Sequence, residues 1–199
     1  MHLQLRRQLR SDKTMKILGI SGSVFGTKSR IALDTFKTNF SPEVEYEIMD
    51  LKDLNIDFSD GRDYRDYTGD TKILIDKILE VDAILIGSPV FQASIPGALK
   101  NVFDLLPIDS LRNKVVGIVM SAGSSKHFLV AEYQLKPILT YMKAKPIESF
   151  VFIEGSSFNR GAIINDDINL RLENYAKTME SEIRNELSHQ ESENALFDF

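Results

Sequence analysis

Three short segments of the chain are apolar almost throughout and end in small or hydroxyl-bearing residues. Lys16–Ile20 runs into Ser-Gly-Ser, Ala83–Gly87 (AILIG) runs into Ser-Pro, and Val115–Met120 runs into Ser-Ala-Gly-Ser-Ser. A strand that alternates in polarity rests one face in water. A strand that is apolar throughout is covered on both faces, as in a parallel sheet with helices on either side. The intervening segments supply those helices. Ile31, Leu33, Phe36 and Phe40 recur at helical spacing within 29–40, as do Ile73, Leu74, Ile78 and Leu79 within 70–81. Pro96 suits a first helical turn, and behind it Leu99, Val102, Phe103 and Leu106 form a stripe. A long helix is predicted over 127–143 and a final amphipathic one from Asp166 to about Ser188. Val44–Leu51 and Ser149–Ile153 complete five strands. Pro137 lacks the N–H that the Tyr133 carbonyl would accept, so a kink or a π-type widening is predicted near Tyr133–Pro137.

Alternating strands and helices with right-handed crossovers leave few topologies. The flavodoxin-like doubly wound α/β order 2-1-3-4-5 suits five parallel strands with helices on both faces, and it places ligands beyond the carboxyl ends near the switch between strands 1 and 3. Three loops reach that edge: Gly22–Arg30, Ser88–Ser94 and Ser121–His127. All are rich in small and hydroxyl residues, whereas 57–70 is a charged loop.

Composition narrows the chemistry. Twenty-four Lys and Arg against 29 Asp and Glu give a net charge of −5, so no global field favours nucleic acid. Cysteine is absent, which excludes disulfides, thiolate catalysis and Cys-ligated metal, and no metal site is assigned. No apolar run approaches the roughly 20 residues of a membrane span. Residues 1–14 (MHLQLRRQLRSDKT) carry Arg6, Arg7, Arg10 and Lys13 against Asp12 and lack a secretory core, so they read as a flexible extension of a cytoplasmic protein. The folded domain is expected over 15–188, with 189–199 a mobile polar tail.

The first loop, GSVFGTKSR, offers tight-turning glycines, the hydroxyls of Ser23, Thr27 and Ser29, the cation Lys28 and a helix start, which together suit a phosphate. It matches neither the P-loop spacing nor the G-x-G-x-x-G pattern, and a phosphomonoester such as that of FMN fits better. In the second loop Ser88-Pro89 ends the strand extended, and Val90, Phe91 and Gln92 supply an apolar wall with one amide, suited to a flavin ring. The third, SAGSSKHF, offers small residues that let backbone approach a ring, with Ser121, Ser124 and Ser125 as donors. His127 lies within reach of a ligand there or caps the helix start.

The stretches GSPVFQASIPGALKNVFDLLP and KVVGIVMSAGSSKHFLVAEYQLKPILTYMKAK resemble the NAD(P)H-dependent FMN reductase family, and the chain is most similar to reductases that feed sulfonate monooxygenases. The likeness spans roughly Met15–Glu180. It implies that Ser23, Thr27, Lys28 and Ser29 bind the FMN phosphate, that Pro89, Val90, Phe91 and Gln92 line the flavin, and that Ser121, Gly123 and Ser124 approach the ring edge. It implies hydride transfer from nicotinamide to flavin N5 with no catalytic side chain, because the flavin carries the chemistry. It also implies a homodimer or homotetramer with Tyr133 at or near an interface, and a monooxygenase as a partner. Many relatives have Arg where Val24-Phe25 stand here, and many have Tyr in place of Phe91. A quinone or azo-dye reductase with tightly bound FMN, or a flavodoxin-type electron carrier, are the alternatives. Basic residues in 57–70 and near the site favour NADPH over NADH as donor.

Overall fold

The computed structural model describes residues 14–197, with the side chains of 194–197 outside that description. The basic extension assigned to 1–14 lies outside it except for Thr14. The parallel sheet has the order β2-β1-β3-β4-β5, built from β1 (Met15–Ser21), β2 (Val44–Asp50), β3 (Ala83–Pro89), β4 (Val115–Ala122) and β5 (Lys145–Pro146). A further strand, β6 (Val151–Glu154), also pairs with β4. The fifth position is therefore shared. β5 pairs with Val115 and Val116, and β6 pairs with Val119 to Ala122. The single strand predicted over 149–153 is the second of these pieces.

The sheet divides the core in two. Leu18, Ile20, Ile84, Ile86, Val116, Ile118 and Met120 face one layer, with Leu74 and Ile78 of α3 (Gly69–Glu80) and Leu99 and Val102 of α4 (Gly97–Leu105). Met15, Ile17, Ala83, Leu85, Val115 and Val119 face the other, with Leu33 and Phe36 of the first helices and Leu172, Ala176 and Met179 of the last. Continuous apolar strands arise because alternate residues enter opposite cores, each buried Leu or Ile adding about 1.5–3 kcal/mol. Only β2, at the edge, alternates, and its Val44, Tyr46 and Ile48 are half-buried.

Three helices differ from expectation. The segment 29–40 is divided into α1 (Lys28–Asp34) and α2 (Phe36–Asn39) at Thr35, whose hydroxyl donates to the Ala32 carbonyl at 2.7 Å, a back-bond that bends helices. The segment 127–143 is a 3₁₀ turn (Ser125–His127), a π-turn (Ala131–Leu135) and α5 (Lys136–Tyr141). The π-turn ends two residues before Pro137, as the missing donor requires. Pro96 stands one place outside α4 rather than at its first helical position. The last helix, α6 (Asp166–Phe197), continues past Ser188, with Gln190 donating to Glu186 at 2.9 Å, so the helix expected to end near Ser188 runs on through 189–197. A small antiparallel hairpin, β7 (Phe158–Asn159) and β8 (Ala162–Ile163), precedes it. Among the described residues no helix is long and apolar enough to cross a membrane.

Candidate functional site

The carboxyl ends of β1, β3, β4 and β6 share one edge, and their loops make the site. The first loop is held to the sheet by Gly22 N–H donating to the Gly87 carbonyl at 2.8 Å. Both glycines are required by closeness. A β-carbon on Gly22 would stand 2.9 Å from Leu99 Cδ2, and one on Gly87 would stand 2.9 Å from Leu33 Cγ and 3.1 Å from the Ser29 carbonyl. The foot of α1 is thereby pressed onto β3, which fixes where Ser29 sits. Ser29 is 4% exposed, and its Oγ has no hydrogen-bond partner among the described residues. A buried hydroxyl left without a partner costs about 1–3 kcal/mol unless something else supplies an acceptor or donor.

The other three residues assigned to a phosphate differ among themselves. Thr27 is the residue before α1, and its side chain makes no capping bond. Ser23 is buried, and its Oγ both donates to the Phe25 carbonyl and accepts the Phe25 N–H at 3.2 Å, so this hydroxyl shapes the loop's own turn. The Lys28 ammonium donates to the Gly155 carbonyl at 3.5 Å and lies 5.5 Å from the centre of the Phe158 ring. It crosses from the first loop to the loop after β6, a contact that the sequence alone gave no means of anticipating.

The second loop is a tight reversal. Val90 N–H donates to the Ser121 carbonyl at 2.9 Å, and Phe91 and Ser94 exchange backbone hydrogen bonds at 2.9 and 3.0 Å. Between them Gln92 (φ 48°) and Ala93 (φ 59°) both occupy the left-handed region. Two successive non-glycine residues there cost roughly 1–2 kcal/mol each. Strain of this kind collects at functional sites. Val90 packs against the core, Phe91 is 39% exposed and belongs to no core cluster, and Gln92 is exposed. Phe91 therefore stands at the mouth of the edge rather than inside. Ser94 Oγ and Gln134 Oε1 are 3.4 Å apart, which links the reversal to the π-turn.

In the third loop Ser121 is buried at the end of β4, Gly123 is exposed with open space where a β-carbon would be, and Ser124 Oγ accepts the Lys126 N–H at 3.2 Å. His127 is half-exposed. Asn101, buried within the apolar face of α4, clamps the 57–70 segment. It accepts Ser59 N–H and donates to the Asp57 carbonyl, both at 2.9 Å. An asparagine between Leu99 and Val102 was the available signal. The clamp borders an open cleft of about 330 Å³ beside the first loop, lined by Val24, Leu54, Ile56, Phe58 and Asn101 among others. Asp50, buried at the end of β2, keeps one oxygen without a hydrogen bond, with Lys52 Nζ at 3.6 Å. A more apolar cleft of about 640 Å³ lies at the other end of α4, between it and α5, away from the loops.

The cations of 57–70 are already spent. Arg62 pairs with Asp60 and Arg65 with Asp63, and each guanidinium beside its carboxyl group holds that acid well below the usual carboxylate range. They are not the free charges that a donor's phosphate would need.

A parallel doubly wound sheet with hydroxyl, glycine and strained turns gathered at its carboxyl edge is an arrangement suited to a mononucleotide. Residues 15–158 match the family model described as NADPH-dependent FMN reductase. The NAD(P)H-dependent FAD/FMN reductase of Geobacillus thermodenitrificans is 42% identical over 148 residues, 73% of this chain and 80% of that one. The NADH-dependent FMN reductase SfnF of Pseudomonas fluorescens is 22% identical over 164 residues, 81% of this chain and 88% of its own. An oxidoreductase structure from Corynebacterium diphtheriae superposes with a TM-score of 0.69 at 25% identity, covering 85% and 97% of the two chains. This chain belongs to the NADPH-dependent FMN reductase family, and it is an oxidoreductase that works with FMN and NAD(P)H.

Proposed function

We propose that the first loop cradles the FMN phosphate through Ser29, Thr27 and Lys28, with Ser23 holding the loop in shape. In this reading Phe91 and the Gln92–Ala93 reversal lie along the flavin, with Pro89 and Val90 backing them, and Ser121, Gly123 and Ser124 approach its edge. The single observation that carries it is the buried Ser29 hydroxyl at the start of α1, which has no hydrogen-bond partner among the described residues and lies one residue from an ammonium that no carboxylate among them neutralises. Bound flavin supplies acceptance of hydride from the nicotinamide and its delivery onward. The chain's own part is to hold, orient and leave one side open. The left-handed reversal keeps Phe91 at the mouth, and Gly123 leaves room for a second ring to approach.

FMN titration, followed by NADPH and NADH oxidation with and without added FMN, tests the assignment. Saturable FMN binding and flavin-dependent oxidation support it. Permanent flavin with no nicotinamide oxidation would identify an electron carrier instead. Reduced flavin passes to a free acceptor or to a monooxygenase partner, in the cytoplasm. Self-association is part of this reading. Leu129, Tyr133 (71% exposed) and Tyr141 (86%) recur along the exposed side of the π-turn and α5, an apolar stripe suited to a second copy in a dimer or tetramer. Light scattering that finds a fully active monomer would remove the need for that interface.

A further inference from the structure

Basic side chains of this molecule are mostly neutralised where they stand. Arg62, Arg65, Lys100, Lys136, Lys145 and Arg184 each pair with a carboxylate. Among the described residues Lys16, Lys114 and Arg171 lack a carboxylate partner, the Lys114 ammonium being held by the Leu79 and Val81 carbonyls, and three further cations without one belong to loops at the carboxyl edge of the sheet. Among the described residues, no carboxylate pairs with Lys28, Lys126 or Arg160. In a chain of net charge −5, exposed cations that no acid neutralises are available to an anion.

The three belong to loops that meet. A β-carbon on Gly155 would lie 2.9 Å from Lys28 Nζ, 3.6 Å from the Ala122 carbonyl and 3.7 Å from Gly123 Cα. Lys126 follows Gly123 by three residues in the exposed 3₁₀ turn. Arg160 follows Phe158, over whose ring the Lys28 ammonium lies, by two. The β7–β8 hairpin packs against α1 through β8. Lys126 and Arg160 are exposed on the loops that flank the one Lys28 crosses to.

Arg160 also has a conformation that its own residue type does not favour. Asn159 pairs with Ala162, which leaves Arg160 (φ 45°) and Gly161 (φ 80°) as a two-residue turn with both residues left-handed. Such a turn favours Asn or Asp before the glycine. An exposed arginine at the tip makes the turn harder to form and has no local hydrogen bond among the described residues to offset this.

We propose that Arg160 and Lys126 form the subsite for the 2′-phosphate of NADPH. The inference rests on the reading of this edge as a flavin site fed by a nicotinamide nucleotide. A flavin mononucleotide carries one phosphate, which the cradle of Ser29 and Lys28 takes. A donor that brings its nicotinamide to the open side of the loops has its phosphates toward the rim. The dianionic monoester at its adenosine end suits a guanidinium fork with a lysine beside it. Donor preference is then set by the hairpin tip, not by Arg62 and Arg65.

The test uses the full chain and two readouts. Calorimetric titration with adenosine 2′,5′-bisphosphate and with AMP reads the subsite without turnover. The bisphosphate should bind more tightly, and Arg160→Asn, which relaxes the turn while removing the charge, should abolish the difference, as should Lys126→Gln. Arg160→Lys should restore part of it. In steady state Arg160→Asn should raise the ratio of the NADPH KM to the NADH KM by about fivefold, the scale of one exposed charge-assisted contact. No preference for the bisphosphate in the unaltered protein overturns the proposal. So does an equal rise in both KM values, which would point to the pyrophosphate, or a loss confined to FMN affinity. Failure to oxidise either nucleotide would strike the flavin-reductase reading, and the bisphosphate titration would still judge the subsite by itself.

Discussion

Tyr175 closes a gap that the split edge strand leaves in the sheet. Between β5, which pairs with Val115 and Val116, and β6, which begins opposite Val119, the N–H of Ile118 has no strand to donate to. The Tyr175 hydroxyl accepts it at 2.9 Å and donates to the Ser149 carbonyl at 3.1 Å. Tyr175→Phe keeps the ring, which is 5% exposed and meets Phe36 edge-on, so little transfer energy is lost. Ser149 is exposed and its carbonyl can turn to water. Ile118 is fully buried, and its N–H would be stranded at about 1–3 kcal/mol. With a urea slope of about 2 kcal/mol per molar, a loss of about 2 kcal/mol lowers the midpoint by about 1 M and leaves the slope unchanged. The corresponding loss in Tm is about 4–8 °C. Amide hydrogen exchange adds a local readout, with Ile118 losing protection more than Ile86 on the neighbouring strand. A midpoint within about 0.2 M of the parent, beyond the reach of extrapolation error, and unchanged exchange at Ile118 would refute the reasoning.

Ser29→Ala should leave the Tm of the ligand-free protein unchanged or slightly raised, because the hydroxyl has no partner to lose. FMN affinity should fall by about 1.5–3 kcal/mol, as for a hydrogen bond to a charged group. Phe91→Ala should lower flavin affinity or turnover with an unchanged circular dichroism spectrum, since the ring lies outside the core clusters; unfolding would return it to the core. Alkaline stability follows from Tyr46 and Tyr175, whose phenols burial pushes far above the ordinary value of 10.0. A raised folded pKa stabilises fully below the unfolded value and is lost as pH rises past it, so the urea midpoint should be flat below about pH 10 and fall above it. A midpoint still flat at pH 11.5 would be inconsistent with buried phenols.

The order of the sheet was legible because burial on both faces writes itself as uninterrupted apolar runs, and the three central strands carried such runs. The positions of the three loops followed from order alone. The π-turn was legible from one residue, since Pro137 lacks a donor whatever surrounds it. The rest depended on tertiary context. Strand five reads as one run from Ser149, yet Lys145–Pro146 pairs with β4 before it, and the join is made by a tyrosine 26 residues beyond Ser149. The tail reads as polar and mobile, yet a polar sequence can extend a helix already anchored by Ile168, Leu172, Met179 and Ile183. Ser23 and Ser29 read alike in the sequence, but Phe25 occupies one hydroxyl and nothing occupies the other.

Charge was the least legible property, for a physical reason. A basic residue near a site counts toward a ligand only if no acid reaches it first. Arg62 and Arg65 each stand two residues after an aspartate, close enough to pair within the loop. Arg160 is preceded by asparagine and followed by glycine, and its hairpin holds it away from the nearest acids in sequence, Glu154 and Asp166. The same contrast runs through the fold. The half of the sheet formed by β2, β1 and β3 is regular in its strand pairing. The half around β4 carries the split strand, the π-turn and the hairpin, with the left-handed Gln92–Ala93 reversal at its border. Strained and irregular backbone collects at functional sites, and in the proposed reading the hydroxyl of Ser29, at the start of α1 against β3, meets that irregular half across the Lys28–Gly155 contact.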